Sequence, residues 1–222
     1  MQQAQDFRDE CEALHAVIDQ LSDSEFRTAT LFKSWSIDDI LQHLHFFNLM
    51  ADLSLNEPQR FAADYAALSD LRANGMTFVE ATDRMLGGLR GRPLVDAWKR
   101  TYEDMTPRFA AADPKHRVKW AGPDMSVRSS ITARQMETWA HGQAVFDRLG
   151  LDRQEADRIR NIAHLGVNTF AWTFRNRGED VPEPAPFVVL AAPSGAQWTW
   201  GEPSDTERVE GSAVEFCRIV CQ

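Results

Sequence analysis

Two residues, Glu137 and His141, combine side-chain types and a spacing that suggest metal chemistry. They lie four positions apart in a segment, residues 131–149, whose apolar residues recur at helical spacing. Side chains four positions apart on a helix project within about 40° of each other, so the carboxylate and the imidazole can bind one divalent cation. Arg134 and Arg148 lie on roughly the same side and favour a different interpretation, a solvated stripe of ion pairs. The spacing alone leaves both interpretations open.

A second pair of residues, His43 and His45, presents a different ambiguity. They are two positions apart, which places them about 200° apart around a helix, so they cannot both face one site. Each flanks the apolar stripe of its segment, and the helical pattern does not choose between them. The alternative role for either is a hydrogen-bonded histidine at the edge of the core.

The cysteines and one further histidine favour structural roles. Cys11, Cys217 and Cys221 are too few for a disulfide framework and lack the spacing of a zinc finger, which favours a reducing, cytoplasmic location. Cys217 and Cys221 lie four positions apart and could form a thiol pair or bind a metal, although free cysteines are more often small buried hydrophobic residues. His164 could line a pocket, but its place beside an apolar stripe favours a structural histidine.

Amphipathic helices are predicted to position these residues. A capping box over residues 36–39 starts one helix, and Gly150 ends another as a left-handed cap. A second capping box over residues 152–155 starts a helix that ends near Gly178, and Pro107 lies inside a further helix, where it favours a kink or an early end. The predicted helices span residues 3–21, 37–54, 78–89, 95–109, 131–149 and 152–178.

The last part of the chain has a different pattern. A proline-rich connector over residues 181–186 precedes strands predicted at residues 187–192 and 197–200, with a possible third at 208–209. Residues 211–222 have the pattern of a helix that is still running at Gln222, so we expect the parent protein to continue. The sequence therefore predicts a mainly α protein, with a helical bundle over residues 1–178 and a small, incomplete α+β domain over residues 187–222.

Composition excludes several classes of function. The chain has 222 residues and a net charge of −9, from 24 Lys and Arg against 33 Asp and Glu, so it is a poor candidate for binding nucleic acid. It has no apolar stretch near the roughly 18 residues that a membrane span needs, and its polar, acidic start does not resemble a signal peptide. Its seven Trp and thirteen Phe residues favour a packed core or an apolar pocket.

The order and spacing of several motifs resemble a known family. Residues 35–44, WSIDDILQHL, resemble the Trp-x7-His-Leu signature of the DinB-like superfamily, in its mycothiol-dependent maleylpyruvate isomerase branch. Residues 122–126, then Arg134, residues 137–142 and residues 149–150 are similar to the second half of that signature. Residues 193–195, 198–200 and 211–213 resemble landmarks of the family's C-terminal domain. The resemblance covers nearly the whole chain and implies a DinB-like four-helix bundle followed by a small C-terminal α+β domain.

The resemblance also implies a set of site residues. In the family, a divalent metal would be bound by the residues that correspond to His43, Glu137 and His141, with His45 as a neighbour of the site. Zinc is the expected ion, and nickel, iron or manganese suit the same donors. Two histidines and one carboxylate leave a coordination position open. The resemblance implies that this position activates mycothiol or another low-molecular-weight thiol, or water, for isomerisation of a small electrophile or transfer to it.

Two residues near these ligands bear on the reaction. Arg134, one turn from Glu137, is placed to bind an anionic substrate or cofactor, or else to form a solvated ion pair with Glu137. The family often has an acidic residue three positions after the second histidine, where this chain has Ala144. This departure favours an alternative function, a non-catalytic metal-binding or sensor domain. A helical interaction protein without a metal is a further alternative.

The expected partner is a small-molecule substrate, without nucleic acid or membrane. The oligomeric state is open, and a homodimer is one option.

Overall fold

The computed structural model of the protein describes residues 1–221 and divides into two compact units. The first unit is Met1–Asp152, and the second begins at Arg153. The sequence pattern predicted the boundary between the helical bundle and the α+β domain later in the chain, between residues 178 and 187. The helical segment that follows residue 152 therefore lies in the second unit and not in the bundle.

The first unit is built around four long helices: α1 (Gln2–Ile18), α3 (Ile37–Asn56), α6 (Gly91–Ala111) and α7 (Val127–Leu149). Helix α1 packs against α6 and α7, and α3 packs against the same two helices. This is the four-helix bundle that the sequence predicts. The elements of this unit are α1 (Gln2–Ile18), α2 (Asp23–Phe26), α3 (Ile37–Asn56), α4 (Pro58–Ala73), α5 (Phe78–Met85), α6 (Gly91–Ala111), β1 (Arg117–Val118), β2 (Met125–Ser126) and α7 (Val127–Leu149).

A continuous apolar core fills the bundle. Phe7, Leu44, Trp98 and Ile131, one from each long helix, are fully buried in it. The helix faces identified by their periodicity are thus the faces that are buried. Removal of this apolar surface from water is the main favourable contribution to the stability of the bundle.

The predicted helix ends are largely confirmed. Ser36 and Asp39 form the capping box that starts α3, and Gly150 ends α7 with a φ of 65°. Helix α7 begins earlier than predicted because Ser126 caps it through the backbone N–H of Ser129. Pro107 lies inside α6, which continues to Ala111.

Two features of the first unit were not predicted. Helix α4 begins at Pro58, beyond the helix predicted over residues 37–54, and proline suits the first turn of a helix. Only Phe61 and Leu68 are buried in α4, so its apolar stripe is too sparse to reveal a helix. The segment between the helices predicted over residues 95–109 and 131–149 contains a short antiparallel hairpin of β1 and β2.

The second unit combines helices with a three-stranded sheet. Strand β3 (Phe187–Ala191) lies in the centre, antiparallel to β4 (Gln197–Trp200) and parallel to β5 (Arg208–Ser212). Helix α10 matches the helix predicted from residue 211, and Gln222 lies outside the described residues. The elements are a 3-10 turn (Asp157–Ile159), α8 (Arg160–Asn168), α9 (Phe170–Asn176), β3 (Phe187–Ala191), β4 (Gln197–Trp200), β5 (Arg208–Ser212) and α10 (Ala213–Val220).

The helix predicted from the capping box at residue 152 is wrong in its start and its continuity. Residues 151–156 have no regular structure, and α8 and α9 are separate helices on either side of Thr169. Helix α8 belongs to the second unit because it packs closely against α10. At Gly166, a Cβ atom would lie 2.7 Å from a methyl group of Val220, so glycine permits this approach.

Within residues 1–221, none of the helices combines the length and the apolar character needed to cross a membrane.

The capping box of α3 gives a first testable prediction. The Ser36 Oγ accepts a hydrogen bond from the backbone N–H of Asp39, and the Asp39 carboxylate accepts one from the backbone N–H of Ser36. Replacement Ser36→Ala is expected to lower the free energy of unfolding by about 1 kcal/mol. Ser69→Ala, at an exposed position of α4, is the control and should change it by less than about 0.5 kcal/mol. Urea unfolding followed by circular dichroism measures both, and equal effects would contradict the capping role.

Candidate metal centre

Helices α3 and α7 bring His43, Glu137 and His141 together. The Nε2 atom of His43 lies 3.0 Å from Glu137 Oε2, and the Nε2 atom of His141 lies 3.1 Å from the same oxygen. Their candidate ligand atoms all lie within 4.8 Å of one another. Of the two histidines that the helical pattern left open, His43 is therefore the one that joins Glu137 and His141.

The donor set of this cluster fits a divalent ion. Zinc binds histidine nitrogen and carboxylate oxygen at about 2.0–2.2 Å, so the donors around a tetrahedral ion are about 3.3 Å apart. The two separations from Glu137 Oε2 are close to this value. Two imidazole nitrogens and one carboxylate oxygen also suit nickel, iron and manganese.

Burial and mutual contacts keep the donors in the states that metal binding requires. Burial lowers the pKa of His43 to about 4, although its hydrogen bond with Glu137 opposes this change, so the imidazole is neutral near pH 7. Burial alone would raise the pKa of Glu137. Hydrogen bonds with His141 and His43 and the positive charge of Arg134 instead hold that pKa below its usual range. Metal ligands must be deprotonated in this way.

The cluster has one more accessible side. The side chains of His43 and His141 are each 13% exposed, whereas that of Glu137 is 31% exposed. A ligand from solution therefore reaches the cluster most easily beside the carboxylate.

Aromatic rings surround the two imidazoles. The ring of His43 lies 5.0 Å from that of Phe47 and 5.6 Å from those of Trp35 and Phe78, and the ring of His141 lies 4.8 Å from that of Phe32. These rings displace water from the imidazoles, which explains the lowered pKa of His43.

A strained loop before α3 positions two of these rings. The carbonyl of Trp35 accepts hydrogen bonds from the backbone N–H and the hydroxyl of Thr30, and the N–H of Trp35 donates to the carbonyl of Phe32. Lys33 and Ser34, at the tip, have φ angles of 49° and 59°. This left-handed conformation costs roughly 1–2 kcal/mol per residue when the residue is not glycine, and the hydrogen bonds across the loop maintain it.

Sequence reasoning missed Phe32, Phe47 and Phe78 as neighbours of the site. Phe47 lies one turn after His43 on α3, and this spacing could have revealed it. Phe32 and Phe78 come from a loop and from α5, and no pattern in the sequence relates them to either histidine.

His45 does not join the cluster. It is buried, and burial lowers its pKa to about 4, with a smaller contribution from the charge of Arg100 on α6. Its position two residues after His43 places it on another side of α3.

Arg134 is not part of a solvated stripe. Its side chain is buried, its Nε donates a hydrogen bond to Asn48 Oδ1 at 3.1 Å, and its guanidinium lies 5.6 Å from the centre of the Phe47 ring. Arg148, the other arginine of the proposed stripe, is exposed. The interpretation as a surface ion pair is therefore wrong for Arg134. The role of Arg134 in binding an anionic substrate or cofactor stays a prediction.

The other candidates have structural surroundings. Cys11 is buried next to Thr138, and burial raises the pKa of its thiol. Burial likewise raises the pKa of Cys217 to about 12. In the second unit, His164 accepts a hydrogen bond at Nδ1 from the Trp200 indole, and its Nε2 lies 2.9 Å from the Asn168 amide.

Comparisons with known proteins agree with this fold. A family model described as the mycothiol maleylpyruvate isomerase N-terminal domain matches residues 7–146, a range that contains all three clustered residues. An uncharacterized protein of Mycobacterium tuberculosis, found in two strains, is 34% identical over 220 residues, which cover 98% of this chain and 83% of the relative.

Two crystal structures of the mycothiol-dependent maleylpyruvate isomerase, one of them of a mutant, share the fold. Each superimposes with a TM-score of 0.58 at 16% identity, over 99% of this chain and 87% of that chain. Because the family model matches more than half of the sequence, the resemblance seen in the motifs is confirmed. The chain belongs to the mycothiol maleylpyruvate isomerase N-terminal domain family.

Proposed function

We propose that the protein is a metal-dependent enzyme that uses a low-molecular-weight thiol, or water, in a reaction with a small electrophilic substrate. The reaction is an isomerisation of that substrate or a transfer of the thiol to it. The observation that carries the proposal is the convergence of His43, Glu137 and His141 on one point, with an accessible side beside Glu137. The mycothiol-dependent maleylpyruvate isomerase that shares the fold supports mycothiol as the first thiol to test.

The three residues would hold one divalent ion, with zinc as the first expectation. A divalent ion there supplies an open coordination position that lowers the pKa of a bound thiol or water. The three protein donors leave room for such a ligand, as catalytic zinc sites do.

The chain's own residues prepare the site for this chemistry. Glu137 faces both imidazoles with one oxygen and fixes the orientation of each. Trp35, Phe47 and Phe78 hold the His43 ring in place and keep water away from it. A dry, apolar wall strengthens electrostatic interactions with a bound anion and suits the carbon skeleton of a small electrophile.

A second candidate function is a metal-binding or sensor domain without catalysis. It is favoured by Ala144, which lies three positions after His141 and packs against the apolar core. An alanine there cannot donate or accept a proton through its side chain. The two functions share the metal and differ in whether a thiol is consumed.

The proposal places the protein in a reducing compartment, which we take to be the cytoplasm. None of its three cysteines forms a disulfide, and small thiols stay reduced in that environment.

The first prediction of the proposal is metal content. The protein purified after reconstitution with zinc or nickel is expected to hold about one ion per chain, because the three donors form one site. Elemental analysis measures this ratio, and Glu137→Ala, which removes the shared carboxylate, should reduce it strongly. A ratio below about a tenth in the unaltered protein would contradict a tight metal site of this kind.

The second prediction separates the two histidines of α3. His43→Ala is expected to weaken metal binding by more than about 100-fold, a larger loss than is typical for residues that only support a ligand. His45→Ala removes a buried imidazole from the same helix without removing a donor, and it should retain the metal. Competition titration with a chelator gives both affinities, and circular dichroism checks that both variants fold. Equal losses would show that His43 is not a ligand.

The third prediction concerns the source of the nucleophile. Activity with a small thiol is expected to survive replacement of all three cysteines by alanine, because burial raises the pKa of Cys11 and Cys217 and makes them poor nucleophiles. Activity should vanish in His141→Ala. Consumption of mycothiol and other small thiols is measured with maleylpyruvate and other small electrophiles.

Two outcomes of that assay would change the proposal. Activity lost only in the cysteine-free variant would move the chemistry to a protein thiol. A protein that holds its metal but consumes no thiol with any electrophile, and activates no water, would favour the sensor function.

A further inference from the structure

Arg134 uses only part of its hydrogen-bonding capacity. The Nε and Nη2 atoms of a guanidinium form the edge that binds a carboxylate with two parallel hydrogen bonds. In this protein Nε donates to Asn48 Oδ1, whereas the buried Nη2 has no hydrogen-bond partner. Such a buried donor costs about 1–3 kcal/mol if it stays unpaired.

Asn48 also has a buried donor without a hydrogen-bond partner, and this donor lies beside the same edge of the Arg134 guanidinium. Its amide orientation is determined by Arg134, since only the oxygen can accept from the Nε–H group. Its buried Nδ2 is left without a hydrogen-bond partner. Because Nδ2 and Oδ1 belong to one planar amide, this second unpaired donor lies next to the guanidinium edge.

Ser130 adds a third unpaired group. It lies one turn before Arg134 on the same face of α7, is 1% exposed, and its buried hydroxyl also lacks a partner. A hydroxyl can donate as well as accept. Arg134, Asn48 and Ser130, called here the donor cluster, therefore offer unpaired buried donors around a positive charge, and an acceptor is what they lack.

The donor cluster adjoins the candidate metal centre. Ser130, Arg134, Glu137 and His141 follow one another at intervals of three or four residues along α7. The Phe47 ring contacts both parts, since it lies 5.0 Å from the His43 ring and 5.6 Å from the Arg134 guanidinium.

We propose that the donor cluster binds one carboxylate of an anionic substrate whose reactive carbon lies at the metal centre. The catalytic meaning of this site rests on the proposed function, but its binding of a carboxylate does not. One carboxylate oxygen accepts from Arg134 Nη2 and Asn48 Nδ2, and Ser130 donates to the carboxylate as well. Since Arg134 and Asn48 are buried, the partly exposed Phe47 ring must turn aside to admit the group.

The test uses maleate, a dicarboxylate, and maleamide, its neutral diamide of similar shape. Isothermal titration is performed on the full chain, both metal-loaded and after chelation, so that coordination of maleate to the ion is recognised. The expected result is binding of maleate and not of maleamide in both states. Arg134→Met should abolish this binding. Arg148→Met, which removes an exposed charge from the same helix, should leave it unchanged.

Ser130→Ala tests the site in case Arg134→Met fails to fold. It removes one hydroxyl and should weaken maleate binding by about tenfold, as loss of a hydrogen bond to a charged group does. If the chelated chain does not bind maleate, or if Arg134→Met and Ser130→Ala bind it normally, the proposal is overturned and the donor cluster holds only water. Elemental analysis and the thiol-consumption assay, run on the same samples, test the proposed function separately, because a chain can hold its metal and consume thiol yet fail to bind maleate at the donor cluster, or the reverse.

Discussion

The contact on which the site depends is the one between the Glu137 carboxylate and two imidazoles from different helices. A single oxygen of Glu137 lies 3.0 Å from His43 and 3.1 Å from His141. The position of His141 beside Glu137 follows from helical spacing alone, because both residues lie on α7. The position of His43 beside Glu137 requires α3 and α7 to pack in one particular register. A shift of one residue along α3 would turn His43 by about 100° around the helix axis and separate it from the carboxylate.

The bundle maintains this register through contacts that do not involve the cluster. Helix α6 packs against α3 and α1, and α1 in turn packs against α7. The apolar residues of these helices resist sliding because a close-packed core tolerates few alternative arrangements. At the start of α3, Asp38 Oδ1 accepts a hydrogen bond from the backbone N–H of Gly91, at the start of α6. Further along, the hydrogen bond from Arg134 to Asn48 joins α7 to α3. Polar contacts thus set the positions of helices that apolar burial brings together.

The sequence predicts the features that one segment determines by itself, and it does not predict the features that depend on contacts between segments. The capping box of α3 and the wide apolar stripes of α1, α3 and α7 are local, so the sequence predicts those helices and the bundle. The choice between His43 and His45 depends on packing against α7, which a helical pattern cannot contain, and only the family resemblance favoured His43. The aromatic rings around the two imidazoles come from α3, α5 and the loop before α3, so no single segment of the sequence predicts that they surround the site. Helix α4 was missed because it buries little, and the unit boundary was misplaced because the contact of Gly166 with α10 links residues far apart in sequence.

Charge balance relates the metal centre to the buried arginine. Metal binding requires neutral imidazoles at His43 and His141. The negative charge of the ionised Glu137 and the positive charge of the Arg134 guanidinium then cancel, so the four side chains together have a net charge of zero. A divalent cation would then leave two positive charges among aromatic side chains, where uncompensated charge is costly. Two anionic groups would restore neutrality, one as a ligand of the ion and one beside Arg134. A thiolate and a substrate carboxylate meet this requirement together, whereas a neutral electrophile would leave one positive charge uncompensated. The same electrostatic argument therefore favours an anionic nucleophile, a thiolate or a hydroxide, together with an anionic substrate in one site.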